Sequence, residues 1–404
     1  MHTSSVQGRL LLAAVMAAAV VLAAAPRGPN YEGIRSMGMG NTNVAVTTDR
    51  TAIFHNPAGL GLLGEELQIS TRPFILGLDG SFSKYASTLG RHQDKLSDLS
   101  KIDDPFLEDL DSLDGLWTGI DYIPEITVAT KNMGFGVYSV WPLGMKIETG
   151  HFIPKLGLKG QRDLVFTWAV GIPLKTDKHH FGVSLEYLQR RPLEERITTY
   201  SETFIYFDEA RQRPLGVVGD FTKLQHGASF DAGFMHDLFP GFRLAYAMKD
   251  MFGVVGGNMV VPQFDLGVAY YLPEIEELYF LRNVIASLEL TDIWGFEERT
   301  KRYEQFAKKI HLGAEIDLQY VAFRGGINQG YPTFGIGASF GPLRADYVYY
   351  TEEVGYYAGQ LPRSMHVMSL GLQLNIKMLR ARFGGDETEA PEAAEPARDG
   401  DANP

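Results

Sequence analysis

The chain contains no cysteine. Disulfide stapling, thiolate metal sites and lipid attachment through an N-terminal cysteine are all excluded. A positive balance is missing too: the net charge is -12, and residues 386–404 alone carry seven acids against the single Arg398. Nucleic acid requires a basic patch, so no nucleic-acid partner is expected. Beyond residue 25 no window is apolar enough for a transmembrane helix. Charged residues make up only 21%, while Gly, Tyr and Phe number 44, 19 and 24. That mix suits strands with tight turns better than helices.

What is present begins with residues 1–25, which have a signal-peptide layout. Arg9 supplies the positive region, Leu10–Leu22 the apolar run and Ala23-Ala24-Ala25 a small-residue cleavage site. The run is short for a membrane span. Export with cleavage is expected, which leaves a periplasmic protein, a secreted one or an outer-membrane β-barrel. At the other end, residues 384–404 are acidic and rich in Pro and Ala. They lack the apolar residues needed to fold and are expected to form a disordered periplasmic tail.

Between these ends, segments alternate strictly. In Asp163–Ile172, Leu164, Phe166, Trp168, Val170 and Ile172 fall on one face, against Val165, Thr167, Ala169 and Gly171. Ile310–Leu318 and Met368–Met378 repeat the pattern. Such length and period fit a tilted membrane strand with one face to lipid. Fourteen strands are expected, near 65–76, 122–130, 133–141, 163–172, 180–190, 227–236, 242–249, 263–272, 283–291, 308–317, 320–328, 333–340, 342–350 and 366–378. The gaps sort by parity: mostly long after odd strands (77–121, 191–226) and mostly short after even ones (131–132, 318–319). Short periplasmic turns opposite long outer loops mark an outer-membrane barrel, and a soluble sandwich has no reason to sort its loops so. Within the first long gap, Asp104 and Pro105 are read as opening a helix with Phe106, Leu110, Leu113 and Trp117 on one face.

Motifs for chemistry are weak. Gly337–Gly341 matches G-x-S-x-G, yet a strand follows Ser339 where the motif needs a helix. Gly59–Gly64 satisfies G-x-G-x-x-G without a βαβ unit around it. His179-His180 has no matching ligand cluster. No enzyme activity, cofactor or metal is expected, and no ATP site is evident. The ionisable residues whose strand phase turns them from lipid are Glu186, Glu289, Glu315, Asp317, Arg324, Arg344 and Asp346. Charges facing hydrocarbon are expensive, so these are assigned to a luminal polar network. Tyr and Trp near strand ends, among them Trp117, Tyr270, Tyr271, Trp294 and Tyr350, are read as interfacial girdles.

The stretch Arg35–Leu63, RSMGMGNTNVAVTTDRTAIFHNPAGLGLL, fits none of these strands. It is too rich in glycine and asparagine for a core element, yet Met37, Met39, Val44, Val46, Ile53, Phe54 and Leu60 need a dry place. Set before a barrel, it reads as an internal plug. Through Gly38, Met39, Gly40, Asp49 and Asn56-Pro57-Ala58-Gly59 it resembles the N-terminus of the FadL-like outer-membrane transporters, particularly the branch with PorV-type proteins and related spirochaete barrels. HLGAEI at 311–316 and FRGGINQGYPTFGIGASFG at 323–341 agree with it.

The resemblance implies a fourteen-stranded barrel with a movable luminal hatch. Residues 26–64 would form the hatch, 65–383 the barrel, and Gly38, Gly40, Asn56, Pro57, Ala58 and Gly59 the gate. Apolar ligands such as long-chain fatty acids would enter from outside and leave sideways through the wall, driven by their gradient. The outer-membrane bilayer and the barrel-assembly machinery would be the obligatory partners. A PorV-like part in protein secretion or surface assembly, with secretion partners, and a purely structural role remain as alternatives.

Overall fold

The computed structural model describes residues 31–92, 95, 101, 103–149, 155–175, 178–192, 196–199, 223–272, 281–294, 306–355 and 357–376. The signal-peptide segment and the acidic tail lie outside the described residues. The fold is a closed barrel of 14 antiparallel strands. These are β1 Gln68–Asp79, β2 in two arms (Trp117–Tyr122 and Glu125–Thr130), β3 Met133–Glu148, β4 Lys155–Leu174, β5 His179–Pro192, β6 Gln225–Phe239 and β7 Phe242–Val255. There follow β8 Gln263–Tyr271, β9 Leu281–Leu290, β10 Ile310–Leu318, β11 Val321–Asn328, β12 Tyr331–Phe340, β13 Leu343–Glu353 and β14 Pro362–Asn375. The ring closes where Gln68 of β1 faces Asn375 of β14. Two short strands, Arg196–Thr199 and Asn258–Met259, extend hairpins beyond it.

Each expected strand is present, and the lipid phase is as the alternation demands. Trp168 is 50% exposed and Leu370 51%, while Thr167 beside the first is fully buried and Val367 nearly so. An apolar side chain costs nothing toward hydrocarbon, whereas a polar one there is penalised, so the small and polar phase turns inward. The girdle reading needs two corrections. Tyr350 is buried among Ile34, Met37 and Val348, and the Tyr271 hydroxyl donates to Ala45 O inside the lumen (3.1 Å).

Short turns at 131–132, 240–241, 319–320 and 341–342 lie at one end, and one short turn, 329–330, lies at the other. At the long-loop end, helices Phe82–Arg91 (α3) and Asp104–Asp111 (α4) fill the gap between β1 and β2. They bury Tyr85, Phe106, Leu110 and Leu113 against Ile147, where β3 runs on past the wall. Asp103, one residue earlier than expected, caps α4 by accepting from Phe106 N (3.1 Å). Trp117 is not on that helix: the chain turns at Gly115, and Trp117 begins β2.

The lumen is filled by residues 31–64. Their regular pieces are α1 Ile34–Gly38, α2 Ala52–His55 and a 3-10 turn Pro57–Leu62. Every apolar residue that needed a dry place has one: Met37, Met39, Val44, Val46, Ile53, Phe54 and Leu60 are all buried.

Candidate functional site

A hatch fits a barrel this narrow only if the wall makes room, and the inward phase supplies glycine where it must. A Cβ on Gly182 of β5 would lie 2.2 Å from Pro57 C, and one on Gly171 of β4 2.2 Å from Pro57 O. On Gly233 of β6 it would sit 1.9 Å from Asn56 Oδ1, and on Gly136 of β3 2.4 Å from the Phe54 ring. Across the barrel, Gly313, Gly326 and Gly335 play the same part toward Met39, Gly40 and Gly38. Real Cβ atoms essentially never come within 3 Å of such neighbours, so glycine on the wall is what admits the Pro57 backbone, the Asn56 amide and the Phe54 ring.

The hatch residues singled out by sequence find concrete places. Gly38 packs on Gly335, 3.1 Å from where a Cβ of the latter would stand. Gly40 has φ +65 and would drive a Cβ to 2.1 Å from Leu312 O, so both conformation and space demand glycine. Asn56 braces the plug on two sides. Its Nδ2 donates to Val44 O (3.0 Å), and its Oδ1 accepts from Ala58 N (3.2 Å), capping the turn that Pro57 starts. Ala58 is fully buried, and Gly59 lets Thr47 O approach to 2.1 Å of its missing Cβ.

The luminal ionisable residues separate into two groups. Glu186 and Glu289 belong to an acidic layer with Asp231, Asp250 and Asp265, with Lys249 beside Asp265 (3.2 Å). Neutral donors serve these carboxylates. Thr167 Oγ1 donates to Glu186 (3.1 Å), Ser184 Oγ to Asp231 (3.0 Å), and the hatch amides of Asn43 and Val44 to Glu289 Oε2 (2.7 and 2.8 Å). Glu315, Asp317, Arg324, Arg344 and Asp346 instead line one cavity of about 280 Å³ between the hatch and the short-turn end of the wall. Arg35 of the hatch clamps Glu315 (2.6 Å), Arg324 bridges Glu315 and Asp346 (2.7 and 2.9 Å), and Arg72 of β1 lies 3.6 Å from Asp346.

Sequence reasoning missed Arg35, Asp49, Arg50, Arg72 and Arg282, which complete this cavity. The first three sit in a segment without strand phase, and Arg72 lies at a bulge where the phase is lost. Burial works against the Asp49 carboxylate, but Arg35 and Arg50 overcome it and hold its pKa at about 2.

Beyond single-pair register shifts such as those between Ala228 and Ala232, the wall is interrupted across neighbouring strands around three prolines. The β1–β14 register shifts between Thr71 and Phe74, around Pro73. At the neighbouring height β2 breaks at Ile123-Pro124, and β3–β4 pairing lapses between Val140 and Leu143, around Pro142. Proline offers no amide to a ladder and is foreign to a central strand. Three consecutive strands therefore lose regular pairing side by side, with Ile123 N still donating to Ile75 O (2.9 Å) and Ser139 N to Pro124 O (3.0 Å). The Tyr122 hydroxyl spans part of the gap, donating to Pro73 O (2.8 Å). Beside the gap the hatch presents aromatic surface. Tyr31 packs on Phe54 (4.4 Å) and Tyr138 (5.1 Å), and its hydroxyl donates to Glu125 of β2.

The motifs set aside for chemistry have structural places. Ser339 lies on β12 next to the hairpin turn at Gly341, with no helix following. Gly59–Gly64 belongs to the 3-10 turn and its exit. His179 stacks on His236 (4.1 Å), and among the described residues no group of side chains is arranged to hold a metal.

No family model matches the sequence, and no curated protein matches it. Among solved structures the chain is similar to the toluene transporter TbuX of Ralstonia pickettii, at 14% identity over 86% of this chain and 98% of that one, with a TM-score of 0.47. It is likewise similar to the Pseudomonas putida toluene transporter TodX (13% identity, 86% and 99% covered, TM-score 0.42). A FadL homologue of Pseudomonas aeruginosa gives 11% identity, 85% and 98% coverage and a TM-score of 0.41. The likeness concerns the fold and nothing finer. The structure itself is a closed barrel of 14 antiparallel strands with residues 31–64 packed in its lumen.

Proposed function

We propose that this barrel is a passive channel for apolar small molecules across the outer membrane, with the hatch as its gate and the proline-interrupted wall as its lateral exit. One observation carries the reading. Beside the stretch where β1, β2 and β3 lose regular pairing, hatch and wall meet through apolar surface. Ile123 packs against the cluster of Ile34 and Met37, and Tyr31, next to Glu125, packs on Tyr138 and Phe54. Apolar surface beside lapsed pairing gives an apolar molecule a path to the bilayer core, and its partitioning into lipid supplies the driving force. Long-chain fatty acids and monoaromatic hydrocarbons are the two substrate classes to test.

The absence of native cysteine makes the test direct. Thr42→Cys with Ser287→Cys replaces two side-chain oxygens that lie 2.7 Å apart, one on the hatch and one on the wall, by thiols within reach of a disulfide. In liposomes carrying the purified double variant, uptake of a fluorescent fatty acid and of toluene is followed before and after oxidation. The channel reading expects flux above empty vesicles, its loss on oxidation and its return on reduction. Flux equal to empty vesicles for both substrates sinks the channel. Flux indifferent to a completed cross-link sinks the gate.

A further inference from the structure

We propose that the arginine-lined cavity at the short-turn end binds a small oxyanion of the phosphate or carboxylate class. Its lining holds six arginines against four carboxylates. Arg35, Arg324 and Arg72 are matched by Asp49, Glu315 and Asp346, each pair within 4 Å. Arg50, Arg282 and Arg344 have no carboxylate within that distance among the described residues, and Asp317 is the one acid left to oppose them.

Arg50 is the telling member. It is 4% exposed, its Nε has no hydrogen-bond partner, and its Nη1 makes one long contact, to Gln373 Oε1 at 3.3 Å. Arg72 Nε, also buried, is likewise without a partner. Burial, and after it the nearby Arg72 charge, lower the Arg50 pKa to about 10 against the opposing pull of Asp49 and Asp346, neither of which reaches it as an ion pair. Arg344 spends its Nη1 on the backbone carbonyls of Gly341 and Leu343 (2.7 and 3.0 Å).

Water would satisfy the N–H groups and leave the charge uncompensated. An oxyanion satisfies both, and planar guanidinium forks match its oxygens. A cavity of about 280 Å³ has room for such an ion together with water. Arg50 belongs to the hatch while Arg72 and Arg344 belong to β1 and β13, so one bound ion touches plug and wall at once. The site stands independently of what the channel carries.

The test is titration calorimetry on the full-length protein in a phosphate-free glucoside detergent. Inorganic phosphate and succinate are added in separate arms into chloride buffer at matched ionic strength. Saturable binding at one site is expected in at least one arm, and the preferred arm assigns the class. Arg50→Gln is expected to weaken it about tenfold or more, and Arg344→Gln by several-fold. Lys131→Gln, on the surface beside Glu65, serves as control and leaves the affinity unchanged. Heat-modifiable migration on gels verifies each barrel. If Arg50→Gln does not fold, Arg344→Gln alone decides. No saturable heat in either arm, or an affinity untouched by the arginine variants, overturns the proposal.

Discussion

From Ile34 to Thr51 the hatch is held by charge and by backbone amides in addition to its glycine seats, whereas from Ala52 to Leu62 it is held almost wholly by fit. The first part ties Arg35 to Glu315, Asn43 and Val44 to Glu289, and Gly40 N to Thr333 Oγ1 (3.0 Å). The second part has few such bonds. It seats Pro57 on Gly171 and Gly182, Phe54 on Gly136 and Ile53 on Gly134. Polar ties are exchangeable, because water or an ion can replace them at modest net cost. A steric seat has no substitute and yields only if the wall moves. Because only the first part carries exchangeable polar ties beside its glycine seats, a hatch that opens without breaking the barrel is expected to let go of that part first and to pivot on its second.

The strongest way to break that division is to deny the second part its seat. In Gly182→Val the new side chain collides with the Pro57 carbonyl carbon and Ala58 N, atoms that cannot rotate away. The expected outcome is a barrel that fails to assemble or one with the plug expelled, read as lost heat-modifiability or as ion conductance in planar bilayers. Gly325→Ala, on a strand glycine with open space around its missing Cβ, is the control and shifts stability by no more than about 0.5 kcal/mol. A silent, fully folded Gly182→Val would mean that the close approach does not exist.

A smaller effect tests the polar part. Glu315 accepts from both Arg35 and Arg324 and is nearly buried. Glu315→Gln leaves those guanidiniums facing each other with one neutral acceptor between them. Loosening of residues 34–51 by about 3 kcal/mol is expected, with the barrel strands unaffected. Hydrogen exchange checks it: faster exchange at Asn43 and Val44 together with unchanged protection at Leu60 supports the division, and equal loss at both places ends it.

These two parts were unequally legible in the sequence. The strands were readable because lipid enforces period two, and the same rule placed Glu315, Arg324, Arg344 and Asp346 inside before any coordinates. Gly171, Gly182 and Gly233 were visible only as small residues on the inward phase. Their meaning lies in what faces them, Pro57 and Asn56, more than a hundred positions away in the chain. Arg35, Asp49 and Arg50 had no phase to betray them, since the hatch is neither strand nor long helix. Pro73, Pro124 and Pro142 stood in strand-like windows as local flaws, and only the pairing register aligns them into one interruption.

His55 makes the division less clean and supplies the smallest of the expected effects. It lies in the sterically seated part, 3% exposed, against the Tyr31 ring (5.5 Å), and its Nε2 has no hydrogen-bond partner. Burial, with Lys249 adding to it, pushes its pKa from 6.5 down to about 3. A displaced hatch exposes this imidazole, which then binds a proton that the seated hatch refuses. The His55 contribution to seating is thus fully present above pH 6.5 and is lost as the pH falls toward 3, by about 2 kcal/mol at pH 5. Asp49 follows the same sign in a lower window, between 3.8 and about 2, and so does not contribute at pH 5. Glu32 of the hatch works the other way: burial and Glu352 push its pKa up to about 8, so its stabilisation of the seated state is lost as the pH rises. Hydrogen exchange at Leu60 at pH 7 and pH 5, after correction for the intrinsic rate, therefore reads His55 as the difference between the native chain and His55→Phe, which keeps a ring against Tyr31. In His55→Phe seating is expected not to weaken on going from pH 7 to pH 5. An acid weakening that survives the substitution would place the sensitive group elsewhere in the lumen and return the second part of the hatch to pure fit.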